Sequence, residues 1–409
     1  MTDNACIVIG RKGAAGAVHL SRIPCWPIDT TYYVTPPAEL SLEYIYYALG
    51  FLDLASLDKS TAIPGLNRDD LYSQTLPLPP LPEQHRIVAE IEKQLTRLDA
   101  GLAALRRAGA NVRRYKAAVL KAACEGRLVP QDAADEPASL LLERILAERR
   151  ARWEAEQIAK GKDPKKLKYK EPAAPDREGL PELAEGWVWA AVEQLGEVRL
   201  GRQRSPRHHS GEFMRPYLRA ANATWDGVDL SDVKEMNFPP EIFETYRLQK
   251  DDILVAEASG SASEVGKPFI WQEQIPDCCF QNTLIRVRLM DLPPQYLYLH
   301  FLKDAITGRF GEVAKGVGIH HLGAERLAML PVTVPPLDEQ QRIVAEVERR
   351  LSVVEGLEAS IEANLKRAER LRQAVLKRAF AGELVPQDPS DEPADVLLER
   401  IRVEREKRG

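Results

Sequence analysis

The side chains best equipped for recognition chemistry crowd one stretch in the second half of the chain. Between positions 199 and 219 stand Arg199, Arg202, Arg204, Arg207, Arg215 and Arg219, opposed only by Glu212. Gln203, His208 and His209 share the stretch, and Asn222 follows it. Arginine, glutamine and asparagine form paired hydrogen bonds with the edges of guanine and adenine, so this segment is a candidate base-reading loop. On composition alone, a solvated arginine-rich loop carries equal weight. A second polar loop, AKGVGIHHL (314–322), sets Lys315, His320 and His321 among glycines that let main chain approach a ligand. A plain glycine-rich loop fits it equally well.

Catalytic patterns fail when tested. Gly10, Gly13 and Gly16 are spaced GxxGxxG, not GxGxxG, and an extended run containing Pro24 follows where a dinucleotide fold needs a helix. Between Gly260 and Gly266-Lys267 lie five residues where a phosphate loop has four, and Pro268 replaces the magnesium-binding Ser or Thr. Asn237-Phe238-Pro239-Pro240 departs at Phe238 from the Asn-Pro-Pro-aromatic tetrad of amino-methyltransferases, and no glycine-rich methyl-donor site stands upstream. Cys278-Cys279 has no CxxC partner, and the His208-His209 and His320-His321 pairs are remote in sequence, so no metal site is expected. No nucleophile, base or metal constellation stands out.

Composition narrows the class further. A net charge of −5 argues against a uniformly basic, sequence-blind nucleic-acid binder, whose affinity would come from counterion release by clustered cations. No apolar stretch is long enough for a membrane span. Asp3 and Asn4 precede only a short apolar run, unlike a secretory signal. Five cysteines in a long chain make no disulfide framework. The expectation is a cytoplasmic protein of two or three domains.

The elements that must position these residues are written twice. PPLPEQHRIVAEIEKQL (79–95) returns as PPLDEQQRIVAEVERRL (335–351), an offset of 256. At the same offset, VLKAACEGRLVPQDAADEPASLLLERI (119–145) returns as VLKRAFAGELVPQDPSDEPADVLLERI (375–401). Such a period is far longer than that of solenoid repeats and marks a duplicated module. Each copy reads as a long helix, blocked upstream by its proline pair, with Glu83 or Glu339 in the first turn and Gly126 or Gly382 after the end. Ile343, Val347, Leu351, Val354, Leu357, Ile361, Leu365, Leu371 and Val375 recur at the spacing of a coiled-coil seam. In the first copy, Ile87, Ile91, Leu95, Leu98, Leu102, Leu105, Val112, Tyr115 and Val119 do the same, interrupted by Gly101 and Gly109. Two such stripes in one chain most simply bury each other.

The expected division is a first globular region over 1–80, a first helix over 81–130, a helical extension and charged linker over 131–185, a second globular region over 186–336, a second helix over 337–385 and a tail helix over 386–409. Strand-like runs at Trp187–Val192, Asp252–Ala256, Pro268–Trp271 and Leu284–Leu289, with a helical Tyr296–Asp304, make the second globular region mixed α/β. The linker (156–185) reads as a solvated tether. Residues 1–80 resemble only the end of the second region. Gly65-Leu66 and Leu71 match His321-Leu322 and Leu327, and LEYIYYAL (42–49) parallels PQYLYLHFL (294–302). The first region is thus expected to be partial.

The doubled Pro-Pro-Leu-x-Glu-Gln-x-Arg-Ile-Val segment, the VLKxAxxGxLVPQD helix ends, the EGWVWAAVEQLGEV opening (185–198), PYLRAANATWDGVDLSDVKEM (216–236) and the stretch Gly316–Leu327 together resemble the specificity (S) subunit of type I restriction–modification systems. The resemblance implies an α+β fold: two mixed α/β target-recognition domains, the first partial, separated by two long helices in an antiparallel coiled coil with pseudo-two-fold symmetry. It implies sequence-specific binding of a bipartite site in double-stranded DNA, with two methyltransferase (M) subunits and restriction (R) subunits as partners. S-adenosylmethionine, ATP and magnesium would then belong to those partners, with no cofactor on this chain. The DNA contacts it implies are Arg199, Arg202, Gln203, Arg204, Arg207, His208, His209, Arg219, Asn222, Lys315, His320 and His321, with Arg11, Lys12 and Lys59 in the partial copy; the helix seam would use Ile87, Ile91, Leu95, Ile343, Val347, Leu351 and Leu357. Two alternatives stay open. One is a truncated S-like protein that binds methyltransferase subunits but specifies one half-site, self-association through its helices then restoring a full site. The other is a coiled-coil interaction protein unrelated to DNA.

Overall fold

A computed structural model describes residues 1–58, 65–259, 265–290, 292–313 and 320–408, without the side chains of 259, 313, 320, 407 and 408. The chain forms two compact units, one from residues 1–110 with 358–409 and the other from 111–357. Among the described residues no helix is long and apolar enough to cross a membrane.

The repeated segments are helices of 44 residues each, Leu81–Cys124 and Leu337–Phe380, about 66 Å long at 1.5 Å per residue. Each start is fixed by the glutamine of its Glu-Gln pair: Gln84 Nε2 donates to Pro79 O at 2.9 Å and Gln340 Nε2 to Pro335 O at 3.0 Å. Each end is closed by a glycine in the left-handed region, Gly126 at φ 68° and Gly382 at φ 74°. The next residue then donates back to the helix, Arg127 N–H to Ala122 O and Glu383 N–H to Arg378 O, both at 2.9 Å.

The antiparallel pairing of the two helices is made inside each unit. In the first, Ile87, Ile91 and Leu95 are buried with Leu376 and Ala379, and Arg372 pairs with Asp99. In the second, Val119, Leu120 and Ala123 are buried with Ile343 and Val347, while half-buried Leu351 packs alongside. Leu357 does not belong to the seam, since it is 48% exposed, and Leu371 and Tyr115 are exposed as well. The reason is angular drift. At about 100° per residue from Ile343, the buried Val347, Val354, Ala368, Leu376 and Ala379 fall in a sector from roughly 20° on one side to roughly 60° on the other, whereas Leu357 and Leu371 fall about 40° and 80° away on the narrow side.

The duplication continues past the helices. Helices Ala138–Ala159 and Ala394–Arg408 begin at the same offset, each burying its matching leucine, Leu141 or Leu397. Asp135 accepts from Arg342 and Asp391 from Arg86, both at 2.6 Å. The linker is not a solvated tether. Tyr169 packs against Trp153 in a tilted pair with ring centroids 5.1 Å apart, Ala173 N–H donates to Glu193 at 2.9 Å, and Trp189 Nε1 donates to Pro181 O at 3.2 Å.

In the first unit β1 (Cys6–Gly10), β2 (Val18–Ser21) and β3 (Thr31–Val34) form an antiparallel sheet in the order β2-β1-β3, packed on helix Leu42–Phe51. The second unit holds β4 (Val188–Ala191), β5 (Gly196–Leu200), β6 (Met214–Leu218), β7 (Ala223–Thr224), β8 (Gly227–Val228), β9 (Lys234–Asn237), β10 (Ile253–Ala256), β11 (Ala258–Ser259), β12 (Pro268–Ile270), β13 (Cys279–Phe280), β14 (Leu284–Leu289), β15 (His320–His321) and β16 (Pro331–Val334). Its main sheet runs β12-β10-β14-β5 and packs on helix Pro294–Ile306, with a second sheet β13-β6-β9 and a β16-β4 ladder. The three-strand core is shared: Ile7 pairs with Leu20 and Val34, as Ile253 pairs with Ile270 and Val287. The helix behind the core is tied by a tyrosine in both, Tyr44 O–H donating to Pro77 O at 2.8 Å and Tyr296 bonding Thr333 Oγ1 at 3.0 Å.

Candidate nucleic-acid interface

In the second unit three polar segments are gathered by the turn 281–283, between β13 and β14. Gln281 N–H donates to Leu218 O at 2.9 Å and Asn282 N–H to Arg202 O at 3.0 Å. Thr283 Oγ1 accepts from Ala220 N–H at 3.0 Å, and its carbonyl accepts from Glu257 N–H at 2.8 Å. The arginine-rich segment, the 219–228 loop and the end of β10 therefore meet at one end of the main sheet. Just beyond β10, β11 pairs with β15, Ala258 opposite His321, so the histidine loop joins them.

Inside this frame the predicted residues divide. Gln203, Arg204, Arg207 and His209 are exposed. Arg204 Nε donates to His209 Nε2 at 3.1 Å. His208 is half-buried, and burial together with the nearby Arg202 cation pushes its pKa down, favouring the neutral ring. His321 lies with Nδ1 3.0 Å from Glu257 Oε2.

Four of the predicted contacts bond neighbours within the fold. Arg202 lies 5.3 Å over the Phe238 ring and donates to Asn237 O, and burial pushes its pKa down. Arg199 donates to Glu197 at 2.7 Å, and Arg219 to Asp232 at 2.5 Å. Asn222, only 2% exposed, donates to Asp229 O and Asp232 O and accepts from Arg219 N–H, which spends its amide on the shape of its own loop. Arg215 stands 5.0 Å over Phe243 and pairs with Asp277 at 3.5 Å. Composition marked these residues correctly as hydrogen-bonding groups, but it cannot tell a base from a neighbouring carbonyl. Lys315, Lys59 and the side chain of His320 lie outside the described residues.

Trp225 carries no signal of its own in the sequence, and Lys267 figures there only in the failed phosphate-loop pattern. They stand 42 positions apart with no shared spacing signal, yet the fold sets Lys267 Nζ 5.3 Å over the Trp225 ring beside an open hollow of about 580 Å³.

The first unit repeats the frame with other side chains. Leu66 N–H donates to Arg11 O at 2.8 Å, as Leu322 N–H does to Glu257 O at 2.9 Å, and Lys12 bridges to Gly65 as Ala258 pairs with His321. Arg11 donates to Asp29 O at 3.1 Å and lies 5.8 Å over Tyr32. With exposed Lys12, Arg68 and Asn67 it lines an open hollow of about 670 Å³.

Among the described residues no three His, Cys, Asp or Glu side chains are placed to hold a metal ion. Cys278 and Cys279 are buried, and burial raises both thiols, Cys278 to about 12, so neither is a thiolate at neutral pH.

A family model described as the type I restriction modification DNA specificity domain matches residues 2–105 and 186–367. The specificity subunit of the type I restriction enzyme EcoKI, from Escherichia coli K12, is 24% identical over 367 residues, which cover 87% of this chain and 69% of that subunit. The EcoAI specificity subunit of Escherichia coli is 26% identical over 340 residues, 72% of this chain and 56% of its own length. A chain solved in work on complex assembly and conformational transition of the type I R-M system superposes with a TM-score of 0.61 at 18% identity, over 94% of this chain and 85% of that one, which shows the same fold.

Proposed function

The chain belongs to the family of type I restriction–modification DNA specificity subunits, and on that premise we propose that it reads a bipartite site in double-stranded DNA while its paired helices dock methyltransferase and restriction subunits in the cytoplasm. Specificity subunits recognise and do not catalyse, so the chemistry belongs to the partners. The observation that carries the reading is the meeting of polar segments at one end of the sheet in residues 186–336, with a matching set around Arg11 in residues 1–80.

Replacing Arg204 or Arg207 with Ala in the full chain, followed by selection from a random duplex pool, tests it. A base contact costs about 1–3 kcal/mol and relaxes one position, whereas a phosphate contact weakens all sequences and lowers the salt slope by about one. If neither substitution alters DNA binding, the surface is not the interface.

A second reading is favoured by one observation. Among the described residues β3 has no strand on its outer side, where β14 is covered by β5. In that reading residues 186–336 supply a defined half-site and residues 1–80 supply mainly backbone contacts. Mapping methylated sites in cells that carry this chain with a methyltransferase subunit separates the two. Two different defined halves support the first reading, and a palindromic or one-sided motif supports the second.

A further inference from the structure

We propose that the hollow beside the β7–β8 hairpin reads one G·C base pair in the major groove, with Lys267 donating to guanine and Asp226 accepting from its cytosine. The inference rests on the DNA-reading role above and adds to it the residues and the base pair. Five of its lining residues, Ala220, Ala221, Ala223, Ala256 and Ala258, carry small side chains, so a flat base edge can come close to the polar groups that share the lining. Those groups are Lys267, Asp226 and Thr224.

These groups are preorganised. Trp225 holds the Lys267 ammonium against its ring face at 5.3 Å, which lowers the freedom the long side chain loses on binding. The turn bearing Asp226 is stapled by Thr224, whose hydroxyl donates to Gly227 O at 3.0 Å and accepts from Asp226 N–H at 3.3 Å. Gly227 closes the turn at φ 113°, in the region that favours glycine. In the major groove guanine offers two acceptors, O6 and N7, and cytosine offers the N4 donor. An ammonium and a carboxylate lining one hollow match that pattern across a single pair.

Two further observations separate this site from ordinary surface. Trp225 is 38% exposed at a hairpin tip, an uncommon place for so large an apolar ring. The strand end also does not require a lysine at 267. Ala256 N–H donates to Lys267 O at 3.0 Å, and in the first unit the same bond runs from Gly10 N–H to Ala17 O at 2.8 Å. The frame accepts alanine there, and the second unit carries a cation.

The test is selection of bound sequences from a random duplex pool by the full chain, alone and with a methyltransferase subunit, for wild type, Lys267→Met, Lys267→Arg and Asp226→Asn. The expected result is a required G·C pair at one position that Lys267→Met relaxes by about tenfold or more and Lys267→Arg retains, other positions being unchanged. Asp226→Asn should relax the same position. Placing 7-deazaguanine there should weaken wild type and leave Lys267→Met unaffected. An unchanged motif in Lys267→Met overturns the proposal and leaves the DNA-reading role standing. So does a uniform loss across all sequences with a lower salt slope, which marks a phosphate contact. A wild-type chain that selects no sequence overturns both.

Discussion

At the end of β1 the chain places Arg11 where the end of β10 places Glu257, although both residues offer their carbonyl to the same leucine N–H, Leu66 or Leu322. One step on, Lys12 faces Gly65 where Ala258 faces His321. The main chain is thus identical in plan at the two sites while the side chains invert in charge. The difference teaches that the frame and the reading groups are separable: hydrogen bonds of the backbone hold the site, and the side chains above it are free to differ between copies.

That separation makes predictions, the largest concerning the frame. Ile91 and Val347 occupy equivalent, fully buried positions on the two long helices. Ile91→Asp and Val347→Asp should each cost about 4 kcal/mol or more, because each buries an unpaired carboxylate in the helix pairing. Hydrogen exchange should localise the loss to the first unit for Ile91→Asp and to the second for Val347→Asp. Tolerance of either substitution would break the equivalence.

A middle-sized effect sharpens the line between frame and reading group. Arg202→Ala removes a cation–π contact and a charged hydrogen bond inside the second unit and should cost about 2 kcal/mol of stability. At temperatures where the variant stays folded, its sequence preference should match wild type. A relaxed base position in a fully stable Arg202→Ala variant would return Arg202 to the reading surface.

The smallest effect is one of pH. The hydrogen bond from Arg342 holds the Asp135 carboxyl below the usual carboxylate range. A lowered carboxyl pKa stabilises the fold at neutral pH, and that contribution is lost as pH falls through the lowered value. Arg342→Gln should therefore flatten the acid limb of the stability curve of the second unit. A limb as steep as that of wild type would show that Arg342 is not what sets it.

Much of the frame was legible in the sequence because it was written twice. The offset of 256 located both helices with their proline starts and glycine ends. The strands were legible as short apolar runs, Leu284–Leu289 without any change of bounds. Leu357 misled because a three-and-four count ignores the accumulating rotation of a real helix. The site was legible only as a region. Arg202, Arg219 and Asn222 have the residue types of base readers, but their partners Asn237, Asp232 and Asp229 are set by the fold and carry no spacing signal. The pairing of Trp225 with Lys267 was invisible for the same reason, since each is ordinary in its own stretch and they meet only because β12 lies beside the β7–β8 hairpin.

Gln84 joins the first long helix to the globular part of its unit through an unusual economy of means. Its Oε1 accepts from Ser41 N–H at 3.0 Å, and its Nε2 donates to the helix's own leading proline carbonyl at 2.9 Å. Both bonds consult the peptide backbone and no side chain of the globular part. A joint of that kind is blind to heredity in the piece it holds. Exposed positions across residues 1–80 can change without disturbing this joint, provided the chain still presents one peptide N–H at position 41 and keeps the apolar face of Tyr44, Ile45 and Leu49 that packs with Ile87 and Ile91. The protein can acquire a new preference by drift in the recognition surface while every generation inherits a working attachment.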